Sequence, residues 1–65
     1  MKLHHGLVGF PDRLLIKNDG GCIFIEFKRP RTSPTRIQSH WLAWLHDRHH
    51  RTAVVRYLWQ FVELL

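Results

Sequence analysis

Three ionisable residues stand where a small protein has least reason to put them. Asp12 follows Pro11, and after thirteen further residues Glu26 and Lys28 flank Phe27 at the end of the apolar run Cys22-Ile23-Phe24-Ile25. In an extended strand, positions 22, 24, 26 and 28 share one face, so a carboxylate and an ammonium lie beside Phe24. Taking an unpaired carboxylate out of water costs several kcal/mol, so that face calls for a partner for the charge. Two carboxylates suit Mg²⁺, which keeps several waters and accepts a phosphate oxygen. The ion would activate water and stabilise charge on a pentacovalent phosphate. Lys28 is then suited to orient the attacking water or to neutralise the transition state. The rival reading is an edge-strand ion pair between Glu26 and Lys28, with Asp12 capping a turn.

For this chemistry, Asp12 must come near Glu26, and the turn signal between them supplies the means. Asn18-Asp19-Gly20-Gly21 tolerates positive φ and predicts a hairpin. Its strands are expected over Arg13 to Lys17 and Cys22 to Lys28. A turn centred near Asp19-Gly20 brings Asp12, before the first strand, nearly opposite Glu26, late in the second. Ile23, Ile25 and Phe27 then take the other face. Beyond a loop from Arg29 to Ser33, Ser33-Pro34 reads as an N-cap followed by Pro at the first helical position. Ile37, Trp41, Trp44 and Leu45 recur at helical spacing, with Leu42 beside them, predicting a helix from Pro34 to about His49. The four residues Trp41, Leu42, Trp44 and Leu45 are expected in the core. A third strand is expected over Ala53 to Leu58, parallel to the second after the crossover. A short helix over Trp59 to Leu65 completes an α/β, ββαβ chain, read as one domain over residues 1–65.

Composition narrows the partners. The chain has 65 residues, 45% of them hydrophobic, too many for a disordered tail. Ten Lys and Arg against five acids give a net charge of +5, which points to a polyanion such as nucleic acid. Arg29, Arg31, Arg36, Arg48 and Arg51 are the candidate phosphate contacts. The single Cys22 cannot form an internal disulfide and, lying in the apolar strand, reads as a buried small hydrophobe in a reducing compartment. There is no run of 18 apolar residues and no signal-type segment, so an intracellular protein without membrane contact is expected. His46, His49 and His50 share a helix face at a spacing that zinc could use. The plainer reading is that histidines sit well at a helix C-terminus. His4 and His5 are expected in an irregular stretch.

The same residues carry a family resemblance. Pro11-Asp12 followed by Glu26-Phe27-Lys28 matches the PD-(D/E)xK signature. "GFPDRLLI", "GGCIFIEFKRP", Gln38 and the "WLAWL" helix together resemble the VRR-NUC (virus-type replication-repair nuclease) family over roughly residues 6 to 58. The resemblance implies a minimal restriction-endonuclease-like core, dependence on Mg²⁺ or Mn²⁺, and phosphodiester hydrolysis in branched or junction (Holliday-type) DNA, in a bacterial or phage-infected cytoplasm. It implies metal ligation by Asp12, Glu26 and the Phe27 backbone carbonyl, a catalytic Lys28, and Gln38 lining the site from the helix. Two features depart from the family pattern. None of the eleven residues before Asp12 is acidic, and His49-His50-Arg51 stands where a glycine commonly follows the crossover helix.

A chain this short buries only about 60% of its unfolded surface, and oligomerisation is a common remedy. One long helix is expected to leave the Phe24 face of the sheet bare. With the apolar segment Trp59 to Leu65, this predicts a homodimer. Two rival functions stay open: a DNA-binding module that kept the fold without activity, and an interaction protein whose PD…ExK spacing is accidental. Divalent-metal binding separates the nuclease from both, and salt-sensitive DNA binding separates the two rivals.

Overall fold

The computed structural model describes residues 8–65, and expectations for residues 1–7, His4 and His5 included, lie outside that range. The chain is a small α/β protein. Strands β1 (Arg13–Ile16) and β2 (Cys22–Phe27), helix α1 (Arg36–Asp47), strand β3 (Arg51–Val55) and helix α2 (Leu58–Leu64) follow in that order. The sheet runs β1-β2-β3, antiparallel then parallel.

The hairpin forms where the turn residues demand. Lys17 N–H donates to the Gly21 carbonyl at 2.7 Å, and Gly20 N–H to the Lys17 carbonyl at 2.9 Å. The Asp19 carboxylate accepts from Gly21 N–H at 2.8 Å, and Gly20 takes a φ of 89° that a side chain would oppose. The resulting register pairs Arg13 with Ile25 and Ile16 with Cys22.

Helix α1 starts later than expected, because its cap is Thr35, not Ser33. Thr35 Oγ1 accepts from Gln38 N–H at 3.2 Å, while Gln38 Oε1 accepts from Thr35 N–H at 2.9 Å. This reciprocal box satisfies two donors that a helix start otherwise leaves free. The helix ends at Asp47, two residues short of the expected His49. His49 instead adopts a φ of 67°, the left-handed conformation that ends many helices and that glycine takes most cheaply. A histidine thus makes the turn that glycine makes most cheaply.

Strand β3 begins at Arg51 rather than Ala53, since pairing with Ile23 and Phe24 recruits Arg51 and Thr52. It stops at Val55 because the Gln60 side chain captures the next two amides, Arg56 N–H at 2.7 Å and Tyr57 N–H at 3.1 Å. Those bonds cap α2 one residue earlier than the sequence suggests.

Alternation along β2 creates two unlike faces. Ile23 and Ile25, each 1% exposed, join Val55 in a core to which Leu15, Ala53, Phe61 and Leu64 are packed, so α2 covers this side. Helix α1 covers the Phe24 side. There Phe10 meets Phe24 and Trp41 edge-on, at 5.8 and 5.3 Å between ring centroids, and Leu45 is buried on the same helical stripe. This corrects the expectation of a bare Phe24 face. It also changes the standing of the C-terminal segment, because Phe61 and Leu64 are spent on the chain's own sheet, while Leu58, Trp59, Val62 and Leu65 remain exposed. Of the four residues expected in the core from α1, only Leu45 is buried. Trp41 and Leu42 are half-buried, and Trp44 is exposed. Cys22 is exposed as well, because α1 packs against β3 and does not extend across the β1 side of this face. Leu14 and Ile16, on the same face of β1, are exposed with it. Among the described residues no helix is long and apolar enough to cross a membrane.

Candidate active site

Gln38 joins the two ends of the candidate site. Its Oε1 is held by the Thr35 amide, so its Nε2 is directed elsewhere, and it donates to Glu26 Oε2 at 3.1 Å. The third residue of a capping box therefore also grips the strand carboxylate. Gln38 is half-buried, not a solvated helix residue.

Asp12 approaches from the other side. Extending the register one residue beyond the Arg13–Ile25 pair sets Asp12 opposite Glu26. Such a pair lies between ladder bonds, where opposed Cα atoms come within about 4.5 Å and side chains share a face. The approach is braced from α1. Gly9 lies against α1 with a φ of 82°, and a Cβ there would overlap the Ile37 side chain and sit 3.2 Å from the Gln38 amide nitrogen. The Trp41 indole N–H donates to the Val8 carbonyl at 3.1 Å. These contacts strap residues 8–10 to the helix that carries Gln38, with Pro11 buried behind them. Asp12 itself is exposed and pairs at 3.4 Å only with its neighbour Arg13, a contact worth about 0–1 kcal/mol and easily given up.

Electrostatics at Glu26 bear out its crowded setting. Burial pushes its carboxyl above the usual range, the nearby Lys28 ammonium pulls it down, and the Asp12 charge pushes it up. The ion-pair reading of Glu26 with Lys28 accounts for one of these influences, and the ion pair found among the described residues is Arg13–Asp12 instead.

The Phe27 carbonyl adds an oxygen. Lys28 N–H donates to the Val55 carbonyl at 2.9 Å, so the other end of that planar trans peptide, the Phe27 C=O, faces the β1 side. Its rung partner there, by register, is Pro11, which has no N–H. The sheet supplies no donor at this rung. Two carboxylates and one free carbonyl fit a hard divalent cation, which is commonly held by one or two carboxylates with waters completing the shell.

Not every candidate gathers here. Arg29, Arg31 and Arg36 lie on the loop after β2 and at the start of α1, at the Lys28 end of the sheet. Arg51 pairs with Ile23 at the opposite end, five residues of strand from Lys28, or about 16 Å. Arg48 is beside it in chain order and is engaged in packing: its guanidinium lies 3.9 Å over the Trp44 ring and donates to the Trp44 carbonyl. His46, His49 and His50 line an open cavity of about 660 Å³ with Asp47, Arg51 and Thr52. Among the described residues, no group of three or more His, Cys, Asp or Glu side chains is placed to hold a metal ion. The sequence reading missed Thr35, Phe10 and the Trp41 indole. Only Thr35 had a signal, the Thr-x-x-Gln spacing of a capping box.

No family model matches the chain, and no curated protein or solved structure matches it either.

Proposed function

We propose that this chain is a Mg²⁺- or Mn²⁺-dependent endonuclease that hydrolyses phosphodiester bonds in DNA, with branched or junction DNA as its substrate. The observation that carries the proposal is the Gln38 amide bridging the α1 cap to Glu26, with Asp12 across the hairpin. A capping residue grips a strand carboxylate, the extended register sets a hairpin-end carboxylate opposite it, and packing alone does not require this.

Asp12, Glu26 and the Phe27 carbonyl would hold the ion, which supplies Lewis acidity and a water acidified toward neutral pH. Gln38 occupies Glu26 Oε2 and leaves Oε1 for that role. Lys28 stands two residues along the same face and offers an ammonium where negative charge develops on the phosphate. Arg29, Arg31 and Arg36 at the same end hold flanking phosphates and fix the strand without reading sequence. Among the described residues the only ion pair is Arg13–Asp12, so these cations have no carboxylate partner and suit a polyanion. The choice of branched DNA follows from the VRR-NUC resemblance.

The test is incubation with labelled four-way, flap, fork and linear DNAs in Mg²⁺ or EDTA. Cutting is expected on a branched substrate in Mg²⁺ alone. Lys28→Ala should lower the rate on the order of 10²–10³-fold, as loss of a transition-state donor does, with DNA binding retained. Salt-sensitive binding without cleavage of any substrate would replace this reading with the DNA-binding module.

A further inference from the structure

Next to Lys28, on the far side from Glu26, lies a second concavity. It has a volume of about 330 Å³, and its lining includes Phe27, Lys28, Arg56, Tyr57, Leu58 and Phe61. The groove is aromatic along its walls, with Phe27 and Phe61 ring centroids 6.0 Å apart. Two cations and no acid line it. Tyr57, in its lining, stacks nearly parallel with Trp59, 14° between planes and 6.3 Å between centroids, yet both are exposed. This part of the lining is held in shape by the two Gln60 bonds to the Arg56 and Tyr57 amides. Arg56 is steadied by Nε donating to the Thr32 carbonyl at 2.9 Å, a bond that leaves its terminal nitrogens unused.

We infer that this groove takes an unpaired nucleobase from the strand whose phosphate Lys28 meets, stacking it on Tyr57 while Arg56 holds the adjoining phosphate; the inference rests on DNA being the substrate. Exposed aromatic faces beside cations are the means by which proteins hold single-stranded nucleic acid without reading its sequence. A volume near 300 Å³ is at the small end of ligand pockets, fitting one ring system rather than a helix from another protein. Charge complementarity favours DNA over a second copy, since a copy carries the same +5 and would bring further cations toward Lys28 and Arg56. One consequence is a preference for DNA with an unpaired nucleotide at a branch, where a base enters the groove without first being unstacked.

The experiment is fluorescence anisotropy of the full chain in EDTA, which excludes cleavage. The probes are an oligothymidylate, an abasic strand of equal length and a blunt duplex. The abasic strand should bind about tenfold more weakly than the oligothymidylate, the size of effect that loss of one stacked base gives. Tyr57→Ala should lose about tenfold on the oligothymidylate and almost nothing on the duplex, and Tyr57→Phe should restore binding. Equal affinity for the abasic strand, or an equal loss on both DNAs in Tyr57→Ala, overturns the inference. So does sedimentation as a dimer that Tyr57→Ala dissociates, because the occupant is then a second copy. Base-dependent binding by a protein that cuts nothing in Mg²⁺ supports the groove and removes only the nuclease reading.

Discussion

The two faces of strand β2 differ by one residue in register and by nearly everything in chemistry. On one, Ile23 and Ile25 are closed under Phe61 and Leu64 with no polar atom to satisfy. On the other, Phe24 gives way to Glu26, and the cover consists of edge-on aromatic contacts, a Gln38 amide and a strapped loop. The first arrangement is worth most as buried area, roughly 25 cal/mol per Å². The second spends helix caps and hydrogen bonds on positioning charge. The contrast teaches that this chain keeps its apolar core and its charged, hydrogen-bonded groups on opposite sides of a single sheet, so each should be removable without the other.

The largest effect expected is on the dry face. Ile25→Ala removes a fully buried side chain, and such truncations cost about 2–5 kcal/mol. A chain below about 70 residues rarely has more than 3–5 kcal/mol from one core. Circular dichroism in urea should therefore find the variant unfolded or nearly so at 25 °C. Lys28→Ala, on the chemical side, should melt with the parent protein. If both substitutions destabilise alike, the division between faces is wrong.

A smaller effect should appear at Glu26, and its sign depends on pH. The folded state raises this carboxyl mainly through burial, so the fold binds the proton more tightly than the unfolded chain does. Stability from this group is present at low pH and is lost as pH climbs from the ordinary carboxylate value through the raised one. Glu26→Gln keeps an oxygen for Gln38 Nε2 and carries no charge. Without metal it should melt no lower than the parent at pH 7, with any gain vanishing at pH 4. A metal bound at the proposed site would reverse the order, since a cation favours the ionised carboxylate. Mn²⁺ should raise the melting temperature of the parent at pH 7 but not at pH 4, and calorimetry should give the variant at least roughly tenfold weaker binding. Equal Mn²⁺ affinity in both proteins would move the ion elsewhere.

Much of this arrangement is legible in the sequence because local chemistry dictates it. Asn18 to Gly21 sets the hairpin and hence the meeting of Asp12 with Glu26, and the alternation along β2 sets which residues share a face. What local chemistry does not decide is which helix covers which face. Both faces of β2 offer apolar residues, Cys22 and Phe24 on one and Ile23 and Ile25 on the other, so periodicity alone leaves α1 free to lie on either. Helix α2 is apolar on nearly every side, and its sequence does not distinguish the inward Phe61 and Leu64 from the outward Leu58, Val62 and Leu65. The α1 start carried two competing signals, Ser33-Pro34 and Thr35-x-x-Gln38. The second prevails because its glutamine gains a further partner in Glu26, a contact twelve residues away that no local pattern shows.

The smallest expected effect tests how far the α1 cover extends across the sheet. Cys22 lies on the chemical face of β2, and a buried thiol there would make Cys22→Ser costly, since the hydroxyl would need a partner in an apolar site. The structure leaves Cys22 exposed beside Leu14 and Ile16, outside the helix cover, which lies over β3, with its Sγ 3.8 Å from the Gly20 carbonyl. A serine hydroxyl can use that carbonyl or water equally well. Cys22→Ser should therefore shift stability by no more than about 0.5 kcal/mol, read from urea midpoints, and the parent thiol should react with a thiol reagent at the rate of a free cysteine in the folded state. A thiol that reacts only on unfolding, together with a cost above about 1 kcal/mol for the serine, would mean that α1 or another element closes over the hairpin end. The chemical face would then be a second core rather than an open site.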